Sequence, residues 1–315
     1  DNLTLAASWA RLQQAQATAR KAGSDLWPSL DASGADSRTC YADDSNISYA
    51  SAYSAGLSAS YELDLWGRIG SLSDAAALDA EAQAETLQTA RISLSAEVAA
   101  TWYRLVEQRG QLVVLENQIE LNEQVLELIS LRFRRGQVRA VDLLQQRQLV
   151  ESRRGEMVRV RQQVAVLENA LTIHLGQPPG TVKLPETSEL SILPALPATG
   201  LPADLVQRRP DIRAAWLRLQ AADLRTAAAV AERFPRLSLS AEVNSSTDDV
   251  ADLFDDWLAR IAAGVAAPLI DGGRRKAEVE RSRAAAAEQV ALYGQAVLDA
   301  FGEVEDALTR EGYQR

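Results

Sequence analysis

The sequence has almost none of the side chains from which catalytic and metal sites are usually assembled. Cys40 and His174 are the only cysteine and histidine among 315 residues. An internal disulfide is therefore impossible, and a Cys/His zinc site has too few ligands. A Ser-His-Asp or Cys-His nucleophile would have to run through His174. That residue stands beside Leu175 and Gly176 at the end of a helical pattern and reads as a helix-end residue near carbonyl groups. No catalytic residue, cofactor or metal is expected, and an enzyme is the least supported class. No apolar run approaches the roughly 18 residues that a transmembrane helix requires. A basic excess is missing too: 33 Lys and Arg face 43 Asp and Glu, a net charge of −10. Such a chain repels a phosphate backbone, which argues against nucleic acid as a partner. No secretory signal is visible, and helical sequence begins at Asp1, as in a cytosolic protein or a chain starting after a removed segment. A β-barrel remains the one route into a membrane.

What is present is alanine, interspersed charge and periodicity. Hydrophobic residues make up 47% of the chain but aromatics only 5%, a composition suited to long, closely packed helices. The chain also repeats itself. An offset of 207 aligns Trp9, Arg11, Leu12 and Gln13 with Trp216, Arg218, Leu219 and Gln220, and Trp27-Pro28 with Phe234-Pro235. An offset of 206 then aligns Gly67-Arg68 with Gly273-Arg274, and Glu97-Val98 with Glu303-Val304. The chain reads as two copies of a unit made of a helix, two strands and a long helix.

The first helix is expected over 3–24 and its copy over 209–232, where Pro210 and Asp211 suit a helix start. Each helix stops at an aromatic-proline pair, because the residue before proline is pushed towards extended geometry. From Ile47 to Leu65, Tyr, Leu, Ile and Ala at odd positions alternate with Ser, Ala, Gly and acids at even ones, a strong strand signal. Residues 236–243 alternate likewise, Trp257, Ile261, Val265 and Leu269 mark a fourth strand, and 28–40 gives a weaker first one. The long helices carry a heptad instead. Val98, Leu105, Leu112, Ile119, Leu126 and Phe133 form one row; Leu143, Val150, Met157, Val164 and Leu171 form another after a break at Gly136. The stretch 67–133 would extend about 100 Å as one helix.

Four strands with one apolar and one polar face would leave two unpaired edges. The smallest membrane barrels need about eight strands, so two, three or four chains pooling their strands would close one. Heptad-bearing helices would likewise bury best against neighbouring chains. An oligomeric barrel continued by a helical shaft follows, without the number of chains.

The motifs LDLWGR (63–68), RRPDIRAA (208–215), FPRLSLSAE (234–242), PLIDGGRRKAEVE (268–280) and GEVEDAL (302–308) resemble, in order and spacing, those of the TolC-like outer-membrane factor family, in particular the efflux lipoproteins serving resistance-nodulation-division pumps. The resemblance covers nearly the whole chain. It implies a homotrimer with a 12-stranded β-barrel in the outer membrane and a long periplasmic α-barrel. It also implies docking to a periplasmic adaptor and coupling to an inner-membrane transporter. The family's lipidated N-terminal cysteine is not found, since Cys40 lies in or beside the first strand. The fold class is then mainly α with β. The segments are 1–26 (first helix), 27–66 (strand pair), 67–176 (helical hairpin with its tip near 136), 177–207 (linker), 208–233 (second-repeat helix), 234–272 (second strand pair) and 273–315 (second long helix). By repeat logic, a further hairpin of about sixty residues would follow Arg315.

Four sets of residues are candidates for function. The hairpin tip presents Arg132, Arg134, Arg135, Gly136, Gln137, Val138 and Arg139, followed by Asp142. In the resembling family an R-F-x-x-G…D-L-L tip meets the adaptor, and exposed arginines favour an acidic or carbonyl-rich partner; the plainer reading is a solvated turn. The strand-to-helix junctions hold Trp66, Gly67, Gly272 and Gly273, with packing as the reading for Trp66 and no phosphate-loop pattern. Tyr49, Tyr53, Tyr61, Trp257 and, less favoured than its packing reading, Trp66 could anchor a barrel at a membrane interface. The acids Asp43, Asp44, Asp248, Asp249, Asp252, Asp255 and Asp256 fall between paired strands. They are solvated loops or, repeated around a mouth, a negative field favouring cations or divalent ions. The expected function is a passive outer-membrane exit duct for drugs or other small molecules, in contact with membrane lipid. A soluble coiled-coil scaffold or secretion stalk, and the exit duct of a type I protein secretion system, are the alternatives.

Overall fold

The computed structural model describes residues 2–43, 46–190 and 208–314. Its elements in chain order are α1 (Leu3–Ser24), β1 (Ser29–Asp43), β2 (Asn46–Leu63), α2 (Arg68–Arg134), α3 (Ala140–His174), α4 (Pro210–Ala231), β3 (Arg236–Thr247), a 3₁₀ turn (Val250–Asp252), β4 (Leu258–Ala266) and α5 (Arg274–Gln314). They fall into two compact units, one of residues 1–10 and 87–200, the other of 11–86 and 201–315.

In the first unit α2 and α3 form an antiparallel hairpin. Beside Val106, which is also buried, the half-buried and buried positions of α2 over 101–129 include Thr101, Leu105, Gln108, Leu112, Leu115, Ile119, Asn122, Leu126 and Ile129, spaced alternately four and three apart. Those of α3 run Leu143, Gln146, Val150, Arg153, Met157, Val160, Val164, Leu167 and Leu171 in the same rhythm. This is the a/d seam of a coiled coil. The single hydrophobic row read from sequence is half of each seam. The other half was missed because Gln108, Asn122, Gln146 and Arg153 interrupt it. Gln146 Nε2 donates to the Asn122 carbonyl at 3.0 Å and to Asn122 Oδ1 at 3.1 Å, placing one polar layer inside an apolar seam. Phe133, expected to continue the row, is exposed, because the helix ends one residue later.

The segment after α3 lies against α2. Arg109 donates to the Pro185 carbonyl and to Glu168 Oε1 of α3, the latter at 2.7 Å. A Cβ added to Gly110 would sit 3.0 Å from the Ser188 carbonyl oxygen, so a mid-helix glycine lets the strap's backbone approach. The linker residues 191–207 lie outside the described residues.

In the second unit the helical core is mostly alanine: Ala75, Ala80 and Ala82 of α2 and Ala214, Ala221, Ala228, Ala229 and Ala231 of α4 are buried beside Leu12, Ile69, Ile212 and Val279. Small side chains let helix axes approach closely. Trp216 of α4 meets Tyr293 of α5 at a centroid distance of 5.5 Å. The four strands form one antiparallel sheet in the order β1-β2-β3-β4. The fourth strand is shorter than its alternation suggested, and Trp257 and Leu269 fall outside it. Pro268 lacks an N–H and pushes its predecessor off the ladder, while Asp255 closes a turn onto the Asp252 carbonyl at 3.1 Å before the strand starts.

Register fixes the faces of this sheet, since directly opposed residues point the same way. Leu57 pairs with Ala32 and Val243, Ala59 with Leu30 and Ala241, and Leu63 with Leu237; Leu237 pairs with Val265 and Ala241 with Ile261. Towards the junction end one face is therefore Leu, Val, Ile, Ala and Tyr, while farther along β1 and β2 the same face also carries Asp36, Arg38 and Ser51. The other carries Ser29, Ser33, Ser58, Ser60, Ser238, Ser240, Glu242 and Arg260. Ser245 is the one buried residue among the described strand residues.

Candidate functional site

The tip of the α2–α3 hairpin is built by backbone hydrogen bonds. Gly136 adopts φ +71°. Its N–H donates to the Phe133 carbonyl at 2.9 Å, and that of Gln137 to the Arg132 carbonyl at 3.0 Å. This pair of bonds is a Schellman closure, which needs the left-handed residue that glycine supplies. On the far side Arg139 is the N-cap of α3 in extended conformation, and its N–H donates to Asp142 Oδ2 at 3.0 Å. The Arg139 guanidinium also reaches Asp142 at 3.5 Å. Arg132, Arg134, Arg135, Arg139 and Gln137 are exposed, with Val138 half-buried. Among the described residues no carboxylate pairs with Arg132, Arg134 or Arg135. A rigid, glycine-closed turn thus holds three uncompensated guanidiniums on a chain whose net charge is −10.

The two strand-to-helix junctions form a second constellation. Trp66 Nε1 donates to the Pro235 carbonyl at 2.7 Å, and its ring stacks on Phe234 at 4.9 Å. The exit of β2 is thereby tied to the entrance of β3. Gly67 turns the chain at φ +70°. Asp64 Oδ2 accepts from the Gly70 N–H at 2.6 Å, and Arg68 forks onto Glu62 at 2.8 and 3.2 Å. At the second junction Gly272 and Gly273 have φ of +63° and +87°, and Asp271 caps α5 by accepting from the N–H groups of Gly273 (3.0 Å) and Arg275 (3.2 Å). Those bonds, with the Arg275 guanidinium, hold the Asp271 carboxyl below its ordinary range. The start of α4 uses related chemistry. Arg209 forks onto Asp211 and reaches Glu303 of α5 at 2.7 Å, lowering the Asp211 pKa chiefly through the Arg209 hydrogen bond.

The loop acids lie at the end of the sheet away from these junctions, since Asp43 pairs with Asn46 and Thr247 with Tyr53. Asp249 caps the 3₁₀ turn by accepting from the Ala251 N–H at 3.0 Å, and Asp248, Asp252, Asp255 and Asp256 do not converge on it. Asp44 lies outside the described residues. No group of three His, Cys, Asp or Glu side chains that could hold a metal ion occurs among the described residues. His174 is the last residue of α3; its carbonyl accepts from Asn2 Nδ2 at 2.9 Å and its ring lies 3.9 Å from Glu97.

With this geometry in view, comparison with known proteins places the chain. The family model described as outer membrane efflux protein matches residues 1–177 and 201–312. The chain is 33% identical over 313 residues to the pyoverdine export outer membrane protein OpmQ of Pseudomonas aeruginosa, covering 96% of this chain and 66% of that protein. It is 35% identical over 266 residues to the outer membrane protein OprJ of the same species, covering 82% of this chain and 55% of OprJ. It therefore spans less than two thirds of the length of either relative. Among solved structures, that of CusC superposes with a TM-score of 0.91 at 27% identity, covering 99% of this chain and 73% of that one. The repeated helix-strand-strand-helix plan, the two-faced sheet and the matched residues agree: the chain belongs to the outer membrane efflux protein family.

Proposed function

We propose that the chain is a subunit of an outer-membrane efflux channel, a passive exit duct without catalytic activity. Its sheet lies in the outer membrane and its helices in the periplasm. The observation that carries this reading is the sheet itself. Its apolar face is open, with Ile261 87% exposed, and β1 and β4 are unpaired edges. An open apolar face with polar residues behind it suits lipid outside and water inside, and closure removes the edges. Three copies of four strands would give the 12-stranded barrel that the family resemblance implies. Along α2, Val114, Leu121 and Leu128 form a second heptad row that is exposed, available to further helices of the shaft.

The in-chain seam between β2 and β3 supplies a register for the seam between copies. The internal repeat relates β2 to β4 by 206 and β3 to β1 by 207. The pair Leu63–Leu237 then becomes Leu269 opposite Leu30 of the partner subunit, and Ala59–Ala241 becomes Val265 opposite Gly34 of the partner subunit. Both keep apolar face with apolar face, whereas a one-residue slip would set each apolar face against a polar one. The glycine-closed tip, with its unpaired arginines, is the surface for a periplasmic adaptor that couples the duct to an inner-membrane transporter. Drugs or other small molecules would be the cargo.

Planar-bilayer recording tests the duct: purified protein is expected to give stable, voltage-independent conductance. Absence of conductance from a detergent-stable oligomer would overturn it. For the tip, Arg132, Arg134 and Arg135 changed together to Glu should abolish adaptor crosslinking, and unchanged crosslinking would remove that assignment.

A further inference from the structure

The helical part of the second unit contains a cavity of about 430 Å³, walled by residues of α1, α2, α4 and α5. It lies where the two copies of the repeat meet. Ala15 of α1 and Ala222 of α4 are related by the offset of 207, and Gln83 of α2 and Gln289 of α5 by 206; all four line it. The alanines leave the space and the two amides border it.

The remaining lining breaks that symmetry: Asp79 of the first copy lines the cavity where the second copy has Ala285, and the second copy adds cations. Arg225, Arg281 and Ser282 line the cavity at positions where the first copy has Thr18, Ala75 and Ala76. Ala75 packs fully buried, so the fold does not require a cation there. Arg225 is paired with Asp79, and Arg281 forks onto Glu278 at 2.8 and 2.6 Å. Arg218 spends one N–H on Thr86 Oγ1 at 2.8 Å and has no carboxylate partner among the described residues. Ser282 is only 6% exposed, yet its hydroxyl has no hydrogen-bond partner among the described residues, and neither has the Gln83 or Gln289 amide. The Ser282 hydroxyl, the two amides and the remaining N–H groups of Arg218 are donors left available to an acceptor entering the cavity.

We infer that this cavity binds an oxyanion, held by Arg218 with Ser282 and the two glutamine amides, while Asp79 and Glu278 neutralise Arg225 and Arg281. Guanidinium geometry suits a planar or tetrahedral oxyanion through paired N–H donors. Inorganic phosphate and a small dicarboxylate share this chemistry. A bound anion would link α4 to α5 and α2 where no direct ion pair from Arg218 does so. The inference is independent of the duct reading, since it concerns only the space among α1, α2, α4 and α5.

Thermal unfolding of the detergent-solubilised chain, titrated with sodium phosphate, sodium succinate or sodium chloride at constant ionic strength, is the test. A saturable rise in midpoint with phosphate, with succinate, or with both is expected, and the stronger of the two identifies the source. In Arg218→Gln the apparent Kd should rise at least tenfold, and in Ser282→Ala several-fold. Arg20→Gln, an exposed change on α1, should leave it unaltered. Should Arg218→Gln not fold, Arg218→Lys with Ser282→Ala carries the test, since both preserve packing. Equal responses to all three salts, or unchanged Kd in Ser282→Ala and the Arg218 variant, would overturn the site.

Discussion

The α2–α3 hairpin and the four-stranded sheet solve the problem of apolar surface in opposite ways. In the hairpin the a/d positions meet within one chain: Leu105, Leu115, Ile119, Val150, Val160 and Leu171 are buried, and the polar pair Asn122–Gln146 finds its bonds inside the seam. In the sheet Ser245 is the only described strand residue that is buried, and Ile270 beyond the last strand is 96% exposed. The hairpin is complete by itself. On the proposed reading the sheet is half of an arrangement whose other half is lipid and sister copies, and the same chain carries both because a periplasmic shaft and a membrane barrel have different solvents.

That contrast can be broken at the hairpin with the largest effect. Leu105→Ala should cost about 2–5 kcal/mol, seen as a lower denaturation midpoint of the helical signal, with barrel conductance in surviving oligomers unchanged. On the sheet, Ile261→Ala should cost little in detergent. Ile261→Arg places a charge towards lipid and should cost about 2–4 kcal/mol of membrane stability, depending on depth, read as lost insertion into vesicles. Equal sensitivity of both sites to alanine would erase the distinction. Asn122→Ala removes the polar layer's side-chain acceptor, leaving only the backbone carbonyl to Gln146, and should cost about 1–3 kcal/mol. Asn122→Leu with Gln146→Leu should restore stability while loosening hairpin register, visible as scrambled cysteine crosslinks. Gly136→Ala forces a side chain into left-handed backbone and should cost about 1–2 kcal/mol at the tip alone, read by hydrogen exchange confined to residues 131–139.

The smallest effect expected is on acid stability. The Asp211, Asp271 and Glu278 carboxyls are all held below their ordinary values, first by the Arg209 hydrogen bond, the Arg275 N–H and the Arg281 hydrogen bond respectively. A depressed folded-state pKa stabilises above the unfolded value and loses that contribution as pH falls through the folded one. Stability should therefore fall below about pH 4, and Asp211→Asn should flatten the slope. A slope that Asp211→Asn leaves unchanged would contradict this assignment.

Much of the fold was legible because its signals are periodic. Alternation read from Ile47 to Leu65 survives as β2 except for its last two residues, and the heptads in α2 and α3 and the repeat of Trp27-Pro28 in Phe234-Pro235 coincide with observed elements. What escaped was whatever depends on a partner distant in sequence. Gly110 looks like a weak spot in a helix until the Ser188 carbonyl is seen above it. Asn122 and Gln146 look like breaks in a seam until they bond to each other. The oxyanion cavity needs four helices together before Arg218 is seen to lack a counter-ion. The overlong fourth strand was a local error, since Pro268 was there to be read. At the tip, the turn chemistry of Gly136 and Asp142 was readable, while the lack of an ion pair to Arg132, Arg134 or Arg135 among the described residues was not.

The central claim is that the outer edges of the sheet are shared between copies. Its most direct test is disulfide formation in membranes between Gly34→Cys and Val265→Cys, in a Cys40→Ala background, with Ser33→Cys and Val265→Cys as the one-residue-slipped control. The account expects covalent ladders ending at three chains for the first pair and none for the second. Absence of intermolecular bonds from a properly folded protein, or a stronger ladder from the slipped pair, would contradict it.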